Sequence, residues 1–323
     1  MPQPSRHPLH QWQHRHKQRL LMALICGLVG VEFLESVVAL LALGVQRLMP
    51  RQLGKSTQPV RWSIVPVVVL LLAVGLVQWV FSEADHQWLE RPALLALAAL
   101  AGVTLLGLFS LHQWRHDEPL LHLRDLANPG FMAGMGLFAA YYFIVNFNNY
   151  LFPQVAEHGL GLSVVTTGWL NSFSALVTFA AVVIYNRHSA KVENKRALML
   201  TGCLSMAASA WWMASLPADV SVAGLCAPLA FKGLFGVLMI LPVSALTWRA
   251  LGDTHFAKGY QAKNVLRQMM VSLASASAAV ALHGGLAQGS MQAVFATGQR
   301  LYMGIAVMAL LAGAVVALQK QLR

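Results

Sequence analysis

Charge is nearly absent from this chain for about twenty residues at a time, and this recurs about nine times along its 323 residues. A helix rises about 1.5 Å per residue, so roughly 20 apolar residues match a hydrocarbon layer about 30 Å thick. The runs are residues 20–45, 63–82, 92–112, 130–152, 163–185, 197–215, 221–248, 262–283 and 301–318. With 57% hydrophobic and 11% charged residues, the composition lies outside that of soluble globular domains. The expected fold class is all-α, a polytopic transmembrane helix bundle of about nine helices. Run 20–45 is too long for a signal-peptide core and lacks a small-residue cleavage site, so it reads as a retained helix.

Basic residues sort the connections between these runs. Arg47, Arg51, Lys55 and Arg61 follow the first run, and Arg115 and Arg124 follow the third. Arg187, Lys191, Lys195 and Arg196 follow the fifth; Arg249, Lys258, Lys263 and Arg267 lie around the start of the eighth; Lys320 and Arg323 close the chain. The alternate connections hold Arg91 and Arg300 among Glu83, Asp85, Glu90, Glu157 and Asp219. Lys and Arg in short loops stay on the cytoplasmic side. The last eight runs therefore alternate with both ends cytoplasmic, as in a multi-pass protein of a bacterial-type inner membrane with a cytoplasmic C-terminus. The first run breaks the pattern, because Arg6, Arg15, Lys17 and Arg19 precede it.

The same rule accounts for the net charge of +11 without a nucleic-acid partner. No aromatic residue beyond Tyr185 interleaves with the basic loop at 187–196, as strand-binding surfaces require. Cys26, Cys203 and Cys226 lie singly in apolar runs with no ligand spacing. His7, His10, His14 and His16 have no acid or cysteine nearby and read as a solvated basic tail. Neither a metal nor another cofactor is expected.

Polar residues inside the spans are the functional candidates. In Pro129–Pro153, Tyr142, Asn146 and Asn149 recur at i, i+4 and i+7 and share a helical face, with Asn148 and Tyr150 rotated away. Such a stripe either lines a substrate cavity or bonds a neighbouring helix. Asn171 stands out among Thr166, Thr167, Ser172 and Ser174, which are ordinary packing residues in membrane helices. Lys232 is a cation well inside a span, suited either to substrate positioning and proton coupling or to snorkelling toward an interface. Glu32 and Glu35 form an i, i+3 pair in run 20–45, readable as a proton carrier or as a liability to insertion. The small-residue run Ser272 to Ala279 suits close helix contact, and Pro228 and Pro242 suggest a bend.

From Ser63 onward the order of features resembles the 14-helix drug:proton antiporter branch of the major facilitator superfamily. Residues 75–131 look like that branch's two extra central helices, followed by Glu118-Pro119-Leu120-Leu121 ahead of the first C-terminal helix. FKGLFGVLMILPVSAL resembles the fourth helix of the C-terminal lobe, and AKGYQAKNVLRQMMVSLASASAAV the next loop and helix. The resemblance implies three parts: 1–62, a basic tail and remnant N-lobe helix; 63–128, two linker helices; 129–323, a six-helix C-terminal lobe. It further implies a transporter in the lipid bilayer exporting small amphipathic drugs against entering protons. A single lobe walls half of a central site, which implies a second chain supplying the N-terminal lobe, or a homodimer. The chain before Ser63 departs from the family, having no Gly-x-x-x-Asp-Arg loop; run 20–45 looks like the front of a first helix fused to the back of a sixth. Two other classes stand beside transport: a non-transporting fragment or scaffold, and a membrane-embedded enzyme. The enzyme ranks last, since its ionisable residues are scattered singles such as His283.

Overall fold

The computed structural model describes residues 92–115, 128–188, 194–251, 256–287 and 289–319, with scattered helical positions between 65 and 80. The chain divides into two compact units, Met1–Trp62 and Ser63–Arg323, and the described residues all belong to the second. Run 20–45, with Glu32 and Glu35, lies outside the described residues.

Seven α-helices follow one another: α1 Pro92–Arg115, α2 Pro129–Gln154, α3 Val164–His188, α4 Lys195–Ser215, α5 Val222–Leu251, α6 Phe256–Ala287 and α7 Met291–Leu318. A π-helical turn, Val155–Gly159, extends α2. Each of the seven is long and apolar enough to cross a membrane, and no strand occurs among the described residues. The all-α bundle expected from the apolar runs is the fold observed.

Polar residues immediately before the helices explain where several begin. Asn128, Ser163, Asn194 and Ser290 accept hydrogen bonds from the backbone N–H groups of Gly130, Thr166, Ala197 and Ala293, satisfying donors that the first helical turn leaves open. The α2 end is set differently. Pro153 cannot donate to the Asn149 carbonyl, and the chain then widens into the π turn, with Leu160 N–H bonded to the Val155 carbonyl. Gly161 turns the chain into α3 at φ +67°, a conformation that disfavours a side chain.

Helix α4 packs against α5 and α7; α5 also meets α3 and α2; α6 lies against α2 and α7. Their shared core is built from Phe138, Ile144, Phe152, Met199, Met206, Phe235, Met239, Tyr302 and Ile305, all nearly inaccessible. The outer faces are as apolar as the core. Leu97 and Leu100 on α1, Trp169, Leu176 and Phe179 on α3, and Leu310 and Leu311 on α7 are all more than half exposed. In water such a surface would aggregate; facing acyl chains it is at rest.

Small residues bring the helices close. An added Cβ at Gly298 would strike the Val155 side chain, and one at Gly159 would lie 3.2 Å from the Phe295 backbone, which seats the π turn on α7. A Cβ at Gly202 on α4 would lie 3.2 Å from the Leu238 carbonyl carbon and the Met239 nitrogen on α5. Gly136 meets open space. Gly202→Leu is expected to lower stability by about 1–3 kcal/mol through overpacking. Gly136→Leu is expected to stay within about 0.5 kcal/mol. Thermal unfolding of the detergent-solubilised variants checks both.

Candidate functional site

Three helices enclose a cavity of about 440 Å³: α2 contributes Tyr141, Val145 and Asn149; α3 contributes Asn171, Ser174, Ala175 and Thr178; α5 contributes Lys232, Gly233 and Gly236. Its walls are held by bonds from side chains to the neighbouring backbone. Ser174 Oγ donates to the Leu229 carbonyl at 3.0 Å, and Thr178 Oγ1 donates to the Gly233 carbonyl at 3.2 Å and to the Ser174 carbonyl at 2.9 Å. An added Cβ at Gly233 would lie 2.8 Å from the Ser174 carbonyl oxygen, so only glycine permits this approach of α5 to α3. Tyr141 Oη donates to the Gly236 carbonyl at 3.4 Å, tying α2 to α5.

Against this bonded wall three side chains stand open. Among the described residues no hydrogen bond engages the amides of Asn149 or Asn171 or the ammonium of Lys232. Lys232 Nζ lies 5.8 Å from the Phe152 ring centroid, and α2, α3 and α5 carry no Asp or Glu. Pro153 cannot supply the usual helical N–H to the Asn149 carbonyl, so the α2 ladder is interrupted beside the Asn149 side chain. The result is a half-open cleft with one cation, two amides and a phenol facing a mostly apolar interior. A cleft of this make-up has the chemistry to hold a molecule with a polar end and an apolar body.

The structure places three of the sequence candidates, Asn149, Asn171 and Lys232, on this cavity. Tyr142 and Asn146 do not line it. The row that does is Tyr141, Val145 and Asn149, rotated by one residue from the expected stripe. Asn146 Nδ2 donates to the Tyr142 carbonyl of its own helix at 2.7 Å, and the Tyr142 ring stacks 6.1 Å from Phe138 with the Arg267 guanidinium 6.0 Å away. Tyr141 escaped the sequence reading, although its i, i+8 relation to Asn149 was the available signal. Ser174 and Thr178 fill the packing role expected of small hydroxyls, and they do so at the cavity wall.

Asn148 points elsewhere. It is buried, and its Oδ1 has no partner among the described residues; the Tyr302 hydroxyl on α7 shares that condition. Ser174→Ala is expected to cost about 1 kcal/mol by releasing α3 from α5. Asn148→Leu is expected to leave stability unchanged or raise it by about 1 kcal/mol, since a buried unpaired acceptor is removed. Thermal unfolding separates the two signs.

No family model matches the chain. Similarity is found to the probable multidrug resistance protein EmrY of Escherichia coli strain K12, 20% identical over 220 residues. The matched region is 67% of this chain and 42% of that relative, so the chain spans less than half the length of the curated relative it matches. Together with seven membrane-length helices, this distant similarity supports a multi-pass, transporter-like membrane protein.

Proposed function

We propose that the chain is a transporter component of the major facilitator type, exporting amphipathic compounds across a bacterial-type inner membrane in exchange for protons. The observation that carries this reading is the cavity itself, where Asn149, Asn171 and Lys232 stand unbonded inside a membrane-length bundle. Polar groups at such depth are costly unless they face water or a ligand. The amides of Asn149 and Asn171 take the polar head of a substrate. Lys232, with no carboxylate on its walls, favours an acceptor-rich head over a cationic one. Lys232 and Tyr141 are the titratable groups lining the cavity, and Lys232 is the candidate for coupling to protons.

Helices α2 to α7 form the C-terminal lobe in this reading, and residues 63–128 form two linker helices. Alternating access rocks two such lobes around a shared site. The opposite wall comes from a second chain or a second copy. The distribution of basic residues orients the C-terminus to the cytoplasm. Glu32 and Glu35 belong to the part of the chain outside the described residues and are kept as secondary coupling candidates. A non-transporting scaffold is the rival, and it needs no open amides in the cavity.

Accumulation of fluorescent amphipathic anions and cations, measured in cells making the chain, separates the two. Export should lower accumulation relative to empty vector, more for anions, and an ionophore that collapses the proton gradient should abolish the difference. Asn149→Ala or Lys232→Gln should reduce export about tenfold, the effect of losing a hydrogen bond to a charged partner. Accumulation equal to empty vector, with the protein present in the membrane, refutes export by the chain on its own.

A further inference from the structure

The first half of α6 breaks with the apolar outer faces of α3 and α7. Between residues 260 and 279 its exposed positions are Tyr260, Gln261, Asn264, Arg267 and Gln268. They share an arc of about 120° of the helix, and none is aliphatic. All five lie within the apolar span Gly259–Leu286. Arg267 is deep in it, because its guanidinium stands 6.0 Å from the ring of Tyr142, near the middle of Pro129–Gln154. One turn earlier the half-buried Lys263 holds Nζ 4.5 Å from the Tyr260 centroid and 6.0 Å from that of Phe138.

Such a face is not at rest against acyl chains. A guanidinium keeps its proton and carries five N–H donors, and among the described residues no hydrogen bond engages those of Arg267. Helices α2 to α7 contain no Asp or Glu, so no carboxylate on them neutralises it. An arginine at this depth is costly in hydrocarbon, and residues of this kind pair with one another or face water enclosed by protein. Arg267 is exposed on the outside of one bundle, where a water-filled space also needs a second protein wall. Either way protein covers this face. A second copy presenting the same face would set Arg267 against Arg267, and like charges repel strongly where the dielectric is low. Charge complementarity therefore selects a partner with an acid inside its own span.

We propose that the face of α6 from Tyr260 to Gln268 docks a transmembrane helix of another protein, one that carries a carboxylate near the middle of its span and pairs it with Arg267. The planar guanidinium matches the two carboxylate oxygens with two parallel N–H donors. Gln261, Asn264 and Gln268 supply hydrogen bonds to polar groups of the same helix. The inference rests on the reading of this chain as one wall of a two-walled transporter, and it names the chemistry of the other wall: a foreign acid-bearing chain rather than a second copy.

The test reconstitutes the full chain in phosphatidylcholine vesicles with a synthetic helix of about 22 leucine and alanine residues that bears one Glu at its centre. Binding is read by energy transfer from the tryptophans of the chain to an acceptor on the helix, at about pH 8, where a carboxyl beside a cation is ionised. The Glu helix should bind about tenfold more tightly than the same helix with Gln, the gain of a charged hydrogen bond. Arg267→Gln should abolish that preference, and Arg187→Gln, at the C-terminal end of α3, should leave it whole. Should Arg267→Gln not fold, Arg267→Lys carries the comparison and should keep only part of the preference, since the charge remains without the fork. Equal binding of the two helices to the unaltered chain, or a Glu preference that survives Arg267→Gln, overturns the docking face. Self-association of the chain that Arg267→Gln abolishes assigns the face to a second copy, and displacement of the Glu helix by acetate at equal concentration assigns it to a small anion; either result overturns the partner helix. The measurement needs no transport, so failure of export and failure of docking are separate results.

Discussion

Hydrocarbon offers no hydrogen bonds, and the architecture follows from that constraint. Backbone groups within the bundle must be satisfied by the helices themselves, and side-chain hydroxyls are turned back onto the backbone. Thr201 bonds to the Ala197 carbonyl, Thr247 to that of Val243 and Ser275 to that of Val271, each four residues earlier. Where a hydroxyl reaches across instead, it joins two helices: Ser209 on α4 bonds to the Pro228 carbonyl at 2.6 Å, and Ser174 on α3 bonds to that of Leu229. Both accept at the same turn of α5, which is thus anchored from two sides.

Proline and glycine convert this packed arrangement into a cleft. Pro153 interrupts the α2 ladder beside Asn149 and is followed by the π turn, which seats on α7 through Gly159 and Gly298. Gly233 lets α5 approach the backbone of α3, and the Gly236 carbonyl receives the Tyr141 hydroxyl. The cavity lies among these contacts. Its polarity comes from side chains that the close contacts do not consume.

The cations of α3 to α6 stand in three settings. Arg187, Lys195 and Arg196 stand at helix ends, where short-loop charge orients the bundle. Lys232 stands inside the cavity with an aromatic ring nearby. Lys263 and Arg267 stand beside the rings of Tyr260, Phe138 and Tyr142. No Asp or Glu occurs in α2 to α7.

The apolar runs alone determined that the chain is a helical membrane bundle, because the length that crosses a hydrocarbon layer is set by helical rise and is visible without any partner helix. The polar candidates were equally visible, since Asn149, Asn171 and Lys232 are conspicuous inside such runs. Which of them meet was decided only by the tertiary structure. A helical face of Tyr142, Asn146 and Asn149 is defined to about one residue in rotation, and the neighbour that each residue sees depends on where α3 and α5 pack. Tyr141 lines the cavity with its hydroxyl on the Gly236 carbonyl of α5, whereas the Asn146 amide bonds to its own backbone. Asn148, one position from Asn149, became buried for the same reason: one residue of helix is a rotation of about 100°, enough to carry a side chain from the cavity to the core.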